Sequence, residues 1–111
     1  VEIGEQRHGA VTVIKPQGPL CLGDAEAFRA RVAEVMTRSL GRFVVDASAV
    51  PYVDSVGLEA LVSATDELGA GGRALRLCGA GETLREVLDV TGLADRFEHY
   101  VDVNTAVRSF L

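Results

Sequence analysis

Apolar positions along this chain change their period several times, and each change marks an element. Glu2 to Gln6 reads as a short extended stretch, His8-Gly9 as a turn, and Val11, Val13 and Ile14 as a partly alternating strand that ends at Pro16. The two strands are expected to form a hairpin. Gln17-Gly18-Pro19 breaks the pattern. Phe28, Val32, Val35, Met36 and Leu40 then recur at helical spacing, which predicts one buried face of a first helix, with Asp24 as its N-cap and Gly41 at its C′ position. Phe43-Val44-Val45 is a continuous apolar run, as in a central strand covered on both faces. A loop, Ala47 to Tyr52, leads to a second helical face of Leu58, Leu61, Val62, Thr65 and Leu68, stopped by Gly69, Gly71 and Gly72. Ala74 to Cys78 alternates as a strand. Leu84, Val87, Leu88 and Thr91 predict a third helix ended by Gly92. Phe97 to Val101 predicts a last strand, and Asp102 caps a final helix carrying Val103, Ala106, Val107 and Phe110.

The predicted order is ββαβαβαβα. Alternation of strand and helix implies parallel crossovers, preceded by one antiparallel hairpin. The fold class is therefore α/β. Functional loops of such sheets gather beyond the carboxyl ends of the strands. The loop at Asp54-Ser55 follows the third strand and the loop Gly18 to Gly23 follows the second, so the two are expected to be neighbours.

Composition narrows the functional classes. The 111 residues are 48% hydrophobic and 24% charged, which is the balance of a globular domain able to build a core without staples. No repeat, linker or low-complexity run divides them, and the expectation is one domain over 1–111, complete or as one module of a longer chain, since the first residue is valine. A net charge of −5 gives no general attraction to phosphate backbones, so nucleic acid is not an expected partner. No apolar run approaches the ~18 residues of a membrane span, and no signal peptide opens the chain. Cys21 and Cys78 form no CxxC, and with only two histidines there is no zinc pattern. Two free thiols in a reducing cytoplasm are expected, with no metal and no cofactor.

The sharpest chemical handle is Asp54-Ser55-Val56-Gly57-Leu58, a serine hydroxyl at a helix start just past a buried strand. Four roles compete for Ser55. As an N-cap it would satisfy an orphan N–H of the first turn and need no further function. As a nucleophile it would need a base, yet His8 falls in the hairpin turn and His99 in a late strand, and the G-x-S-x-G elbow is absent. The glycines at Gly18 to Gly23 and Gly69 to Gly72 match neither phosphate-loop pattern. As a phosphosite, Ser55 would gain roughly −1.5 to −2 charges. A helix N-terminus tolerates that charge, whereas a partner packed on the same surface would be repelled.

These residues resemble the STAS domain, the family of sulphate transporters and anti-sigma-factor antagonists. The resemblance runs almost end to end. It is carried by the opening hairpin, Gly18-Pro19-Leu20, Val44-Val45-Asp46-Ala47-Ser48, Val53-Asp54-Ser55-Val56-Gly57-Leu58, the Gly71-Gly72 turn and Val90-Thr91-Gly92-Leu93. It implies a mixed, mostly parallel sheet with about four helices packed largely on one side. It also implies an antagonist that binds an anti-sigma factor acting as a serine kinase, is released when Ser55 is phosphorylated, and is reset by a phosphatase.

Carried over by position, Ser55 is the acceptor. The partner-binding surface comprises Asp54, Ser55, Val56, Gly57 and Leu58, the exposed side of the second helix at Glu59, Ser63 and Asp66, and Gly18, Leu20, Cys21 and Asp24 of the preceding loop. Two positions depart from the family pattern: Val56 replaces a common hydroxyl residue, and Cys21 stands where an acid is common, with Asp24 three residues on. No catalytic residue is implied. The rival readings are a STAS scaffold within a transporter, a stress-sensing complex or lipid-transport machinery, with Ser55 only a cap, and a small serine hydrolase.

Overall fold

The computed structural model describes residues 2–111. Five strands form one sheet in the order of the chain: β1 (Glu2–His8), β2 (Val11–Gln17), β3 (Phe43–Asp46), β4 (Leu75–Cys78) and β5 (Phe97–Tyr100). β1 and β2 are antiparallel and all later pairs are parallel. The helices are α1 (Leu22–Arg38), α2 (Ser55–Gly69), α3 (Glu82–Val90) and α4 (Val103–Arg108).

Strand alternation decides which side each helix takes. Ile14, Phe43, Val45, Leu75, Leu77 and Phe97 share one face and form the main core with Phe28, Val32 and Val35 of α1, Leu61 and Leu68 of α2, and Leu84 and Leu88 of α3. Val11, Val44 and Cys78 point the other way, where Ala106 of α4 covers them. Three helices thus lie on one side and α4 alone on the other. Both faces of β3 are buried, as its continuous apolar run implies.

Several boundaries differ from the sequence reading. His8 belongs to β1 and pairs with Val11, so the turn is Gly9-Ala10; Gly9 has φ +67°, as the first central residue of a type II′ turn requires. β2 continues through Pro16, which lies beyond the residues that pair with β3. Leu40, expected in the core, is 75% exposed. It occupies the left-handed C′ position of α1 at φ +56°, and Gly41 is one residue further on, its amide reaching back to the Met36 carbonyl. A 3₁₀ turn, Ala94–Arg96, precedes β5, which stops at Tyr100.

Asp102 caps α4 as expected. Its carboxylate accepts the Thr105 amide at 2.8 Å, and that bond holds its pKa below the usual value. Cys78 is buried beneath α4; burial first, then the nearby charges of Asp46 and Asp102, pushes its thiol up to about 12. It remains a neutral core thiol at physiological pH.

Candidate functional site

The site forms where the segment after β2 meets the segment after β3. A parallel bridge joins Leu20 to Val53. The Leu20 amide donates to the Tyr52 carbonyl at 3.2 Å, the Asp54 amide donates to the Leu20 carbonyl at 3.1 Å, and the Gly18 amide donates to the Ala49 carbonyl at 3.1 Å. The two loops are therefore extensions of the β2–β3 pair, and their expected adjacency is met.

Asp54 is the hub of this junction. It is the N-cap of α2, and its Oδ1 accepts the Gly57 amide at 2.8 Å. Its Oδ2 accepts the amide of Leu22, the first residue of α1, at 2.9 Å. One carboxylate thus satisfies orphan N–H groups of two helices. The cap expected at Asp24 is corrected here, and of the four roles open to Ser55 the N-cap is removed. Ser55 is the first helical residue rather than the cap, and Asp24 lies within the first turn of α1 rather than at its N-cap. The N-cap of α1 is Cys21, whose side chain makes no capping bond.

Gly57 sets the spacing between the two segments. A Cβ on this residue would lie 2.1 Å from the Leu20 carbonyl oxygen and 2.9 Å from its carbon. Only glycine lets the first turn of α2 approach that backbone so closely. Val56 and Leu58 are half-buried and lean on the main core.

With capping assigned to Asp54, the Ser55 side chain is exposed, and its hydroxyl takes no partner among the described residues. Neither histidine serves it: the His99 ring bonds the Ala94 carbonyl at 2.7 Å, and His8 sits beside Gln6. Glu59 is exposed one turn beyond Ser55, and Ser63 is half-buried beside α1. Asp66 lies on the same stripe but roughly 16 Å along the helix, where it is ion-paired with Arg96. The structure thus gathers Gly18, Leu20, Cys21 and Asp54 to Leu58 at one end and leaves Asp66 at the other.

Two residues missed from sequence stand at this junction, Leu22 at 69% and Tyr52 at 49% exposure. Both neighbour residues that join the two loops, and large apolar side chains left in solvent beside a free hydroxyl are what a docking face presents. Leu22 stands three residues before the buried Ala25, so spacing alone does not disclose its exposure, and Tyr52 lies in a loop without a period.

Cys21 supplies a check on the capping geometry. Its backbone is extended, at φ −120° and ψ 179°, as a cap requires. Cys21→Asp is expected to raise unfolding stability by about 1 kcal/mol through a new bond to the first turn, read as a higher denaturation midpoint. An unchanged midpoint would show that α1 already has all the capping it can use from Asp54.

The model of the STAS domain matches residues 3–106, nearly the whole length described above. The chain belongs to the STAS domain family. Among its relatives, the probable sulfate transporter Rv1739c of Mycobacterium tuberculosis is 31% identical over 111 residues, covering 95% of this chain. The chain spans only 20% of that transporter's length. The anti-sigma-F factor antagonist RsfB of the same species is 26% identical over 100 residues, covering 90% of this chain and 81% of RsfB. The crystal structure of an anti-sigma factor antagonist from Mycobacterium paratuberculosis superposes with a TM-score of 0.83 at 25% identity, covering 97% of this chain and 92% of that one. The STAS fold expected from the motifs, a mostly parallel sheet with its helices largely on one side, is thus met in full. Among the described residues, no helix of this STAS domain is long and apolar enough to cross a membrane.

Proposed function

We propose that this STAS domain is a cytoplasmic anti-sigma-factor antagonist. It binds an anti-sigma factor with serine-kinase activity through the Asp54–Leu58 junction, and phosphorylation of Ser55 switches that binding off. The observation that carries this reading is the free, exposed hydroxyl of Ser55 at the first position of α2, beside a separate residue that does the capping. The likeness to RsfB over most of both chains supports it. The chain then acts by binding, and a phosphatase returns it to the competent state.

The physics of the switch is local. A phosphate on Ser55 sits at the positive end of α2, where the helix dipole and amide N–H groups tolerate its charge. The fold therefore has little reason to rearrange. A partner seated over Leu22, Tyr52 and Ser55 has to accommodate roughly two extra charges and their hydration in a contact that would otherwise be dry.

The test is direct. The domain is incubated with ATP and the serine-kinase anti-sigma factors of its own genome, and any phosphate is located by mass spectrometry. Binding by wild type, Ser55→Ala and Ser55→Asp is then compared. Phosphate on Ser55, full binding by the alanine variant and at least about a tenfold loss with aspartate, some 1.4 kcal/mol, are expected. Equal binding by both variants would sink the switch. A second reading, a regulatory module within a sulphate transporter, is favoured by the identity to Rv1739c; it predicts neither phosphate on Ser55 nor binding to any of those kinases.

A further inference from the structure

The two ends of the sheet carry opposite charge. The segments that run from the carboxyl ends of the parallel strands into the next helix hold Asp24, Asp54, Glu82 and Asp102, and no lysine or arginine. At the opposite end four exposed arginines from separate elements come together. Arg7 pairs across the hairpin with Thr12, whose amide donates to the Arg42 carbonyl at 3.0 Å. Arg73 donates from Nη1 to the Leu40 carbonyl at 3.3 Å, and Arg38 closes α1 two residues before Leu40. Arg38 is shared with Glu5 and Glu34, but Arg7, Arg42 and Arg73 form no ion pair among the described residues. The acids of this end lie elsewhere. Asp66 pairs with Arg96, Glu67 lines the groove between α1 and α2, and Asp95 precedes β5 at the far edge of the sheet.

Leu40 stands in the middle of the arginines. It is 75% exposed and packs in neither core cluster. Its φ of +56° is left-handed, a conformation that a glycine takes freely and a leucine only under strain. The fold thus holds an apolar side chain out in solvent, at a position where it strains the backbone and fills no space in the core. Strain of this kind at a charged surface points outward, to a contact with something else.

We infer that this basic end docks on an anionic lipid bilayer, with Leu40 entering the headgroup boundary and Arg7, Arg42 and Arg73 resting on lipid phosphates. A bilayer takes the charges and the leucine at once. An acidic protein face or a nucleic acid matches the arginines alone, and no aromatic side chain stands among them to stack on bases. The net charge of −5 does not oppose the contact, because the acidic end faces away and charges beyond about 8 Å are screened at physiological salt. The surface stands independently of the Ser55 reading, since it shares no residue with that junction. A chain seated this way leaves Ser55 open at the opposite end.

The test is flotation of the full chain with vesicles of phosphatidylcholine containing about one-third phosphatidylglycerol. Half-saturation is expected at or below about 1 mM accessible lipid in about 0.1 M salt. Pure phosphatidylcholine, or about 0.5 M salt, is expected to weaken binding at least tenfold. The double variant Arg42→Gln with Arg73→Gln is expected to lose about tenfold, while Arg29→Gln with Arg85→Gln, which removes the same charge elsewhere, changes nothing. Leu40→Gly is expected to lose at least about fivefold while raising the unfolding midpoint, because it relieves the backbone. Its loss therefore does not come from unfolding. Labelled polyglutamate and a single-stranded DNA oligonucleotide, at matched charge, are expected to bind at least tenfold more weakly than the vesicles. No binding at that lipid concentration, equal binding by Leu40→Gly, or tighter binding of either polyanion would overturn the proposal.

Discussion

Gly57→Ala is expected to lower unfolding stability by about 3 kcal/mol, although alanine is the better helix former by roughly 1 kcal/mol. Propensity and packing oppose each other here, and packing wins. The new methyl would sit 2.1 Å from the Leu20 carbonyl oxygen, a backbone atom whose carbonyl also receives the Asp54 amide. Relief requires the two loops to part, which breaks that bond and strains the Leu22 bond to Asp54. Gly69→Ala is the internal control. Gly69 ends the same helix, and a Cβ there meets nothing within 4 Å, so this substitution is expected to be neutral or to stabilise by up to about 1 kcal/mol. Denaturant unfolding of both variants decides the matter. A Gly57→Ala protein as stable as Gly69→Ala would mean that the junction is far looser than its geometry indicates.

Thr65→Val is expected to cost about 2–3 kcal/mol, despite nearly equal volume, because a buried hydroxyl serves two partners. Thr65, 4% exposed, donates to the Arg96 carbonyl at 2.6 Å and accepts the Leu75 amide at 3.0 Å. It ties α2 to β4 and to the 3₁₀ turn before β5. Valine fills the space and serves neither group. Hydrogen exchange gives a local readout: the Leu75 amide should exchange markedly faster in the variant. Unchanged stability with full protection at Leu75 would show that backbone partners replace the hydroxyl.

The comparison of Thr65 with Ser55 shows what sequence could and could not disclose. Thr65 fell on the predicted buried face by its spacing alone, yet its partners lie 10 and 31 residues away, beyond any local pattern. Ser55 was singled out by its place after a buried strand, and that position holds. The sequence leaves the cap open between Asp54 and Ser55 because aspartate and serine are both good caps and stand side by side; only the backbone angles and the Gly57 bond separate them. The start of α1 was set three residues too late for a non-local reason. The bond that fixes Leu22 comes from Asp54, across 32 residues. Leu40 misled because it keeps the helical period while the chain has already turned left-handed.

That topology has a kinetic consequence. Because strand order equals chain order, every strand after the first joins the outer edge of what is already paired, and none has to be inserted between two earlier ones. The sheet can grow by accretion as the chain leaves the ribosome, with the β1–β2 hairpin as the natural seed and α1, α2 and α3 each arriving just ahead of the strand that follows it. The Asp54 junction is then complete once β3 and the start of α2 have emerged, well before β5 exists. A chain stalled at that stage would already present the Ser55 surface while still lacking β4 and β5.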